Sequence, residues 1–149
     1  MRGIFLGIFG TSALLITDIN LLIQIVSFMV LLIGVIYKIK GEFKIHGFLM
    51  GLAVLLHFIT FVVVMGPSFS GGIDFLTTST ADLGVQATWI HAITGGIAMI
   101  LGIILVGLWI VNLSNTAGCV KRKRIMDITV LMWALSLIFG IVTYLSFYA

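Results

Sequence analysis

The sequence predicts an all-α integral membrane protein, a four-transmembrane-helix bundle that leaves room for an extra N-terminal interfacial helix. Of its 149 residues, 61% are hydrophobic and only 9% are charged, whereas water-soluble domains carry about 25% charged residues. Four apolar runs also approach the roughly 20 residues that a helix needs to cross a bilayer. We therefore expect one multi-pass domain over residues 1–149, embedded in the lipid bilayer of the cell membrane.

The predicted spans are separated by short polar or charged stretches. They cover approximately residues 20–37, 45–65, 89–111 and 125–147. A single helix from Ile4 to Tyr37 would be about 51 Å long, well beyond a hydrocarbon core of roughly 30 Å. We therefore expect a break between residues 10 and 20, where Thr17 or Asp18 can cap the first span. The piece before it, about 16 residues long, is expected to lie at the membrane surface or on the bundle.

The distribution of charge predicts the orientation in the membrane. Seven of the eight Lys and Arg residues lie in the 38–44 and 112–124 loops, which we therefore place in the cytoplasm. The 66–88 loop has two aspartates and no basic residue, so it is expected outside, together with both termini. Its length and its Gly, Ser and Thr content are typical of a mobile lid or a docking surface. Topology explains the basic residues, so no nucleic-acid partner is predicted.

The polar residues give no sign of a catalytic centre. A single cysteine, Cys119, excludes an intrachain disulfide and a Cys-based metal motif. Paired carboxylates within the spans, a Ser/His/Asp arrangement and a phosphate-binding loop are all missing from the sequence. We predict no catalytic residues and no stand-alone enzyme.

The second span carries two histidines on one face. His46 and His57 lie about 16 Å apart along the helix axis. His46 is about one turn from the cytoplasmic boundary, where a ring facing headgroups is as good an interpretation as a ligand. His57 lies close to mid-bilayer, where an unpaired ring would cost about 1–3 kcal/mol. Its partner is either a polar side chain (Gln24, Ser27 or Ser136) or a metal or haem iron.

The third span places a histidine above a stripe of small residues. His91 shares this face with Gly95, Ala98, Gly102 and Trp109. The resulting slot suits a close neighbouring helix or a flat ring such as a porphyrin, and helix packing is the commoner cause. His57 and His91 are expected at depths that differ by roughly 9 Å. Ligation of one iron by both, by one alone, or by His91 with a partner chain all stay open.

Two further patterns predict helix packing. In the second span, Gly47 and Gly51 form a pair of small residues that lets helix backbones approach closely. In the fourth span, Trp133, Gly140 and Tyr144 share a face that we assign to the core, with Tyr144 in the outer aromatic belt.

Three stretches together resemble the small membrane proteins of the DUF420 family. They are KIHGFLM (44–50), WIHAITGGIAMILG (89–102) and KRKRIMDITVLMWALSLIFGIVTYL (121–145), so that the resemblance covers residues 44–148. The chain departs from the family pattern before the last helix, where KRKR stands in place of a histidine. The resemblance implies a histidine-bearing bundle of respiratory membranes that binds haem or assists oxidase maturation. His46 and His91 are the residues it carries over.

The leading hypothesis is a small membrane protein of a respiratory or electron-transfer system. It would bind b-type haem or assist haem/copper oxidase assembly. The candidate cofactor-binding residues are His57, His91 and His46, with His57 and His91 as the ligands of a haem iron or copper. The alternative is a cofactor-free accessory subunit of an oxidase or copper monooxygenase. Either protein would act as a homodimer or within a larger membrane complex. A small transporter is a weaker third option.

Overall fold

A computed structural model describes residues 8–111 and 121–149, and this part of the chain forms helices without strands. The α-helices are α1 (Leu15–Ile39), α2 (Phe43–Thr60), α3 (Gly66–Gly71), α4 (Ile73–Thr78), α5 (Leu83–Val111) and α6 (Lys123–Tyr148). A π-helical turn, Phe61–Met65, joins α2 to α3. Four spans are long and apolar enough to cross a membrane, namely Leu15–Ile39, Phe43–Gly71, Leu83–Val111 and Lys123–Tyr148. The predicted all-α four-helix architecture is confirmed.

The bundle buries polar as well as apolar residues and exposes an apolar surface. Only 17–22% of the residues in each span are buried, and the outer faces carry a continuous set of exposed Ile, Leu, Val and Phe side chains. Eight of the buried residues are polar, namely Asp18, Gln24, Ser27, His46, His57, Thr60, Thr129 and Ser136. An apolar exterior of this extent fits a lipid environment, and the polar interior must be satisfied by internal hydrogen bonds.

The helices pack as two antiparallel hairpins. The most extensive contacts join α5 to α6 and α1 to α2, and the two hairpins meet chiefly through α2 and α5. Leu31, Ala53, Ala98 and Trp133 form the buried apolar cluster, with one residue from each long helix. Ala53 on α2 and Ala98 on α5 are small. These two central helices can therefore approach closely, as expected for packing in lipid.

The π-helical turn lies one turn beyond His57. Pro67 follows it at the start of α3, and proline supplies no backbone N–H to the preceding helical turn. The hydroxyl of Thr60, at the end of α2, donates to the backbone carbonyls of Leu56 and His57. Such turns commonly occur at functional positions in helices. Here the wide turn lines the cavity described below, through Phe61, Val64 and Met65.

The described N-terminal segment folds back on the end of α6. Residues 8–14 form turns and bends, in place of the interfacial helix expected there, and residues 1–7 are outside the described part of the chain. The Tyr144 hydroxyl donates to Asp18 Oδ1 at 2.5 Å and lies 2.6 Å from the Thr11 hydroxyl. Asp18 is fully buried and Tyr144 is 7% exposed. Tyr144 therefore joins the termini of the bundle instead of facing the headgroups.

The connection between the second and third spans is largely helical. It contains α4, since α3 continues the second span, and α5 begins at Leu83, six residues before the predicted start. Asp82 explains this early start, because its Oδ1 accepts from the backbone N–H groups of Gly84 at 2.7 Å and Val85 at 3.2 Å. A carboxylate in this position is a favourable N-cap. His91 consequently lies about 12 Å along α5 and not at its first turn.

Candidate functional site

A cavity of about 820 Å³ lies between the helices and is lined by both His57 and His91. The sequence placed these two rings at different depths, and the structure brings them to one cavity. The rest of the lining is mixed. Aromatic and aliphatic residues predominate, with polar side chains at Thr17, Asn20, Gln24, Ser68, Thr88, Ser136 and Thr143. Large, mostly apolar cavities with a few polar groups are typical of small-molecule and cofactor sites.

His57 is held by a hydrogen-bonded chain of side chains. It is 2% exposed, and its Nδ1 lies 2.7 Å from Oε1 of Gln24 on α1. The amide nitrogen of Gln24 in turn donates to the hydroxyl of Thr60. Of the three polar side chains that the sequence offered as partners of His57, Gln24 is the one that bonds its ring in the structure. Ser27 instead donates to the backbone carbonyl of Ala53 at 3.0 Å.

The direction of this chain defines the tautomer of His57. The Thr60 hydroxyl donates its proton to backbone carbonyls of α2, so its oxygen accepts from the Gln24 amide group. The carbonyl oxygen of Gln24 therefore faces His57 and accepts a proton from Nδ1. With the Gln24 amide in this orientation, the neutral ring has its lone pair on Nε2, which also lies near a backbone hydrogen-bonding group of Gly95.

The other side of the His57 ring is closely packed. A methyl group at Gly95 of α5 would lie 4.0 Å from Nε2, so this nitrogen faces the α5 backbone. The indole of Trp133 packs on the ring with centroids 4.8 Å apart and planes at 48°. This side of the ring therefore contacts α5 and α6, although His57 also lines the cavity.

His91 is less enclosed and is held through α6. Its Nδ1 lies 2.8 Å from the backbone carbonyl of Ser136 and 3.2 Å from the Ser136 hydroxyl. A carbonyl only accepts, so Nδ1 carries the proton and Nε2 the lone pair. The residue is half-buried and lines the cavity. This arrangement fits a single axial ligand, with the ring oriented by a backbone carbonyl.

His46 is separate from the other two rings. It is 3% exposed, and its Nδ1 lies 2.8 Å from the backbone carbonyl of Gly34 on α1. It is thus buried between helices and does not face headgroups. It lines a different, smaller cavity, so the structure does not bring it together with His57 and His91.

The small residues of α5 are used for helix packing. A methyl group at Gly95 would lie 2.7 Å from the Ser136 hydroxyl, and one at Gly102 would lie 2.9 Å from Val54. On α2, a methyl group at Gly47 would overlap the indole of Trp109. The predicted slot is therefore occupied by side chains of neighbouring helices. The open volume lies beside this stripe, next to His91.

Trp133 is the residue whose position at the site the sequence did not reveal. It was assigned to the core face, and it lies there with 2% exposure. It also covers His57 and lines both cavities. Its indole N–H is buried without a hydrogen-bond partner among the described residues, which costs about 1–3 kcal/mol. In the sequence, the only indication of this position was that Trp133 is an aromatic residue on the predicted buried face of a neighbouring helix.

The fold and the cavity define a class, a multi-pass helical membrane protein with two histidines on one cavity between its helices. No protein-family model, curated protein or solved structure matches the chain. Among the described residues, no group of three or more His, Cys, Asp or Glu side chains is placed to hold a metal ion.

Proposed function

We propose that this protein binds one b-type haem in the large cavity, with His91 as an axial ligand, within a respiratory or electron-transfer membrane. The observation that carries the proposal is the hydrogen bond from His91 Nδ1 to the Ser136 carbonyl, which leaves Nε2 as a lone-pair donor beside the cavity. A haem held in this way supplies one-electron transfer. The resemblance to the DUF420 family supports the same proposal.

The cavity supports a porphyrin better than it supports copper. Its volume of about 820 Å³ accommodates a large apolar ring, and aromatic residues such as Phe61, Phe69 and Phe75 line it. The described lining contains no Lys or Arg, so haem propionates would meet hydroxyl and amide groups. His57 lines the same cavity but packs against Trp133 and the α5 backbone at Gly95, so His91 is the residue that would hold the haem.

The optical spectrum of the purified protein tests the proposal. The full chain is produced in a haem-replete host, purified in mild detergent, and measured oxidised and dithionite-reduced, with iron and copper quantified by mass spectrometry. The expected result is a Soret band, a reduced alpha band and about one iron for each chain or each dimer. No Soret band and no bound iron after reconstitution with haem would reject the proposal.

A second function is favoured by the close packing at the centre of the bundle. All three histidines have a protein partner at Nδ1, and Trp133 fills the space on His57. These contacts suit a cofactor-free accessory subunit of an oxidase or copper monooxygenase. Copurification distinguishes the two functions. A colourless protein that is stable only together with other membrane subunits supports the accessory role, and a coloured protein that is stable alone supports haem binding.

A further inference from the structure

A second cavity, of about 230 Å³, lies at the end of the bundle that carries the basic loops. It contains neither His57 nor His91 and shares only Trp133 with the large cavity. Its walls are mostly aliphatic and come from all four long helices, including Leu31, Val35, Met50, Val106, Met126 and Val130. Since α1 and α2 form one hairpin and α5 and α6 the other, this cavity lies where the two hairpins meet.

The charged residues of this cavity lie at the helix ends. Lys38 at the end of α1, Arg122 just before α6 and Asp127 in the first turns of α6 all contribute to the lining. Lys38 pairs with Asp127 at 3.4 Å, whereas Arg122 forms no ion pair with the described residues. The same end of the bundle carries five more cations, namely Lys40, Lys44, Lys121, Lys123 and Arg124, against Glu42 and Asp127 as the only acids. The cavity therefore combines an aliphatic interior with a basic rim.

We propose that this cavity binds one acyl chain of an anionic phospholipid, whose phosphate is held by Lys38 and Arg122. A guanidinium group pairs well with phosphate oxygens, and basic pockets between membrane helices on the positively charged side are suited to anionic headgroups. Two polar side chains of its walls, His46 and Thr129, are already bonded to backbone carbonyls, so the interior is mainly apolar. A soluble protein would not reach it, because the walls belong to membrane-spanning helices.

The bound lipid would stabilise the assembled bundle. Its chain contacts both hairpins, while its phosphate offsets the repulsion between Lys38, Arg122 and the neighbouring cations. A ligand that binds only the folded state raises the unfolding temperature, and more so as its concentration exceeds its dissociation constant. We therefore expect an anionic lipid to stabilise the protein more than a zwitterionic lipid with the same acyl chains.

The experiment compares dioleoyl phosphatidylglycerol with dioleoyl phosphatidylcholine. The full chain in detergent receives either lipid, and thermal unfolding and native mass spectrometry report stability and bound lipid. Lys38→Gln and Arg122→Gln remove rim charges, and Leu105→Trp fills the interior. Lys40→Gln and Lys123→Gln are matched controls, because they remove the same charge outside the cavity. Val106→Phe replaces Leu105→Trp if that variant does not fold.

The wild type should retain phosphatidylglycerol preferentially and unfold at a higher temperature with it. Each rim variant should bind it about fivefold more weakly, and the controls should bind it almost as well as the wild type. Leu105→Trp, which fills the interior, should lose the preference for phosphatidylglycerol although all charged residues remain. Equal effects of rim and control variants would show diffuse surface attraction and overturn the proposal. Unchanged lipid binding in the filling variant, or no preference in the wild type, would also overturn it.

Discussion

Nδ1 of His91 on α5 lies 2.8 Å from the backbone carbonyl oxygen of Ser136 on α6. This bond orients the ring across the interface of the two helices, where its Nδ1 and Cε1 atoms also lie close to Gly140. Because a carbonyl cannot donate, the bond assigns the proton to Nδ1 and the lone pair to Nε2. The lone pair on Nε2 of His91, the candidate ligand atom, therefore depends on the packing of α5 against α6.

Replacing Gly140 by alanine should disturb His91 directly. A methyl group there would lie 2.9 Å from Nδ1 and 3.0 Å from Cε1 of His91, so the ring must move and its bond to Ser136 must lengthen. We expect a loss of about 1–3 kcal/mol in stability, measured by thermal or denaturant unfolding in detergent. Gly96→Ala is the matched control, because nothing lies within 4 Å of its added methyl group. Equal stability of the two variants would contradict this packing.

The tautomer of His57 is a direct prediction of its hydrogen-bonded chain. Neutral His57 should carry its proton on Nδ1, because Gln24 presents its carbonyl oxygen to the ring. Nitrogen-15 NMR of histidine-labelled protein in detergent distinguishes the two tautomers, and single replacements of the three histidines assign the signals. In Gln24→Leu the Nδ1 proton has lost its acceptor, so the His57 signals should shift while those of His46 stay in place. A proton on Nε2 in the wild type would refute the chain as described.

Because the carboxylate of Asp18 is buried and bonded to the Tyr144 hydroxyl, we expect that hydroxyl to contribute to stability. Tyr144→Phe removes the donor to Asp18 Oδ1 and leaves a fully buried carboxyl group with fewer hydrogen bonds. The expected loss is about 1–3 kcal/mol, measured by unfolding in detergent. Tyr148→Phe is the control. Its ring lies 5.5 Å from that of Tyr144, but its hydroxyl makes no hydrogen bond with the described residues. A loss of similar size in both variants would argue against the Asp18 contact.

The orientation in the membrane is tested with the only cysteine of the chain. Cys119 lies in the 112–124 stretch, which the basic residues predict to face the cytoplasm. A membrane-impermeant maleimide should therefore label it only after cells are permeabilised. The control carries Cys119→Ser together with Ala81→Cys, which puts an exposed thiol between the second and third spans, and it should be labelled in intact cells. Labelling with the opposite pattern would invert the topology.

The sequence was sufficient for the architecture but only partly for the site. Long apolar runs specify membrane helices regardless of their partners, so the four spans could be predicted from composition and length. Gln24 was among the predicted partners of His57, because few polar residues lie at the right depth. Packing between helices was not predictable, since it depends on pairs distant in sequence, such as Gly95 with Ser136 and Gly47 with Trp109.

Two local features were also missed, and each has a physical explanation. The start of α5 depends on the Asp82 cap, which is followed by a stretch too polar to be recognised as part of a membrane span. Tyr144 was assigned to the aromatic belt because tyrosines commonly occupy that position. It is buried instead, since Asp18 lies opposite it on a distant segment. Both errors arose where a single polar contact outweighs the average preference of a residue type.

The most direct test of the account is the reduced-minus-oxidised difference spectrum of His91→Ala, recorded beside the wild type and His46→Ala. Both histidines bond a backbone carbonyl through Nδ1, but only His91 lines the large cavity. The account predicts that His91→Ala loses the alpha band of bound haem, while His46→Ala retains it at wild-type intensity. An alpha band that survives unchanged in His91→Ala would contradict the central claim.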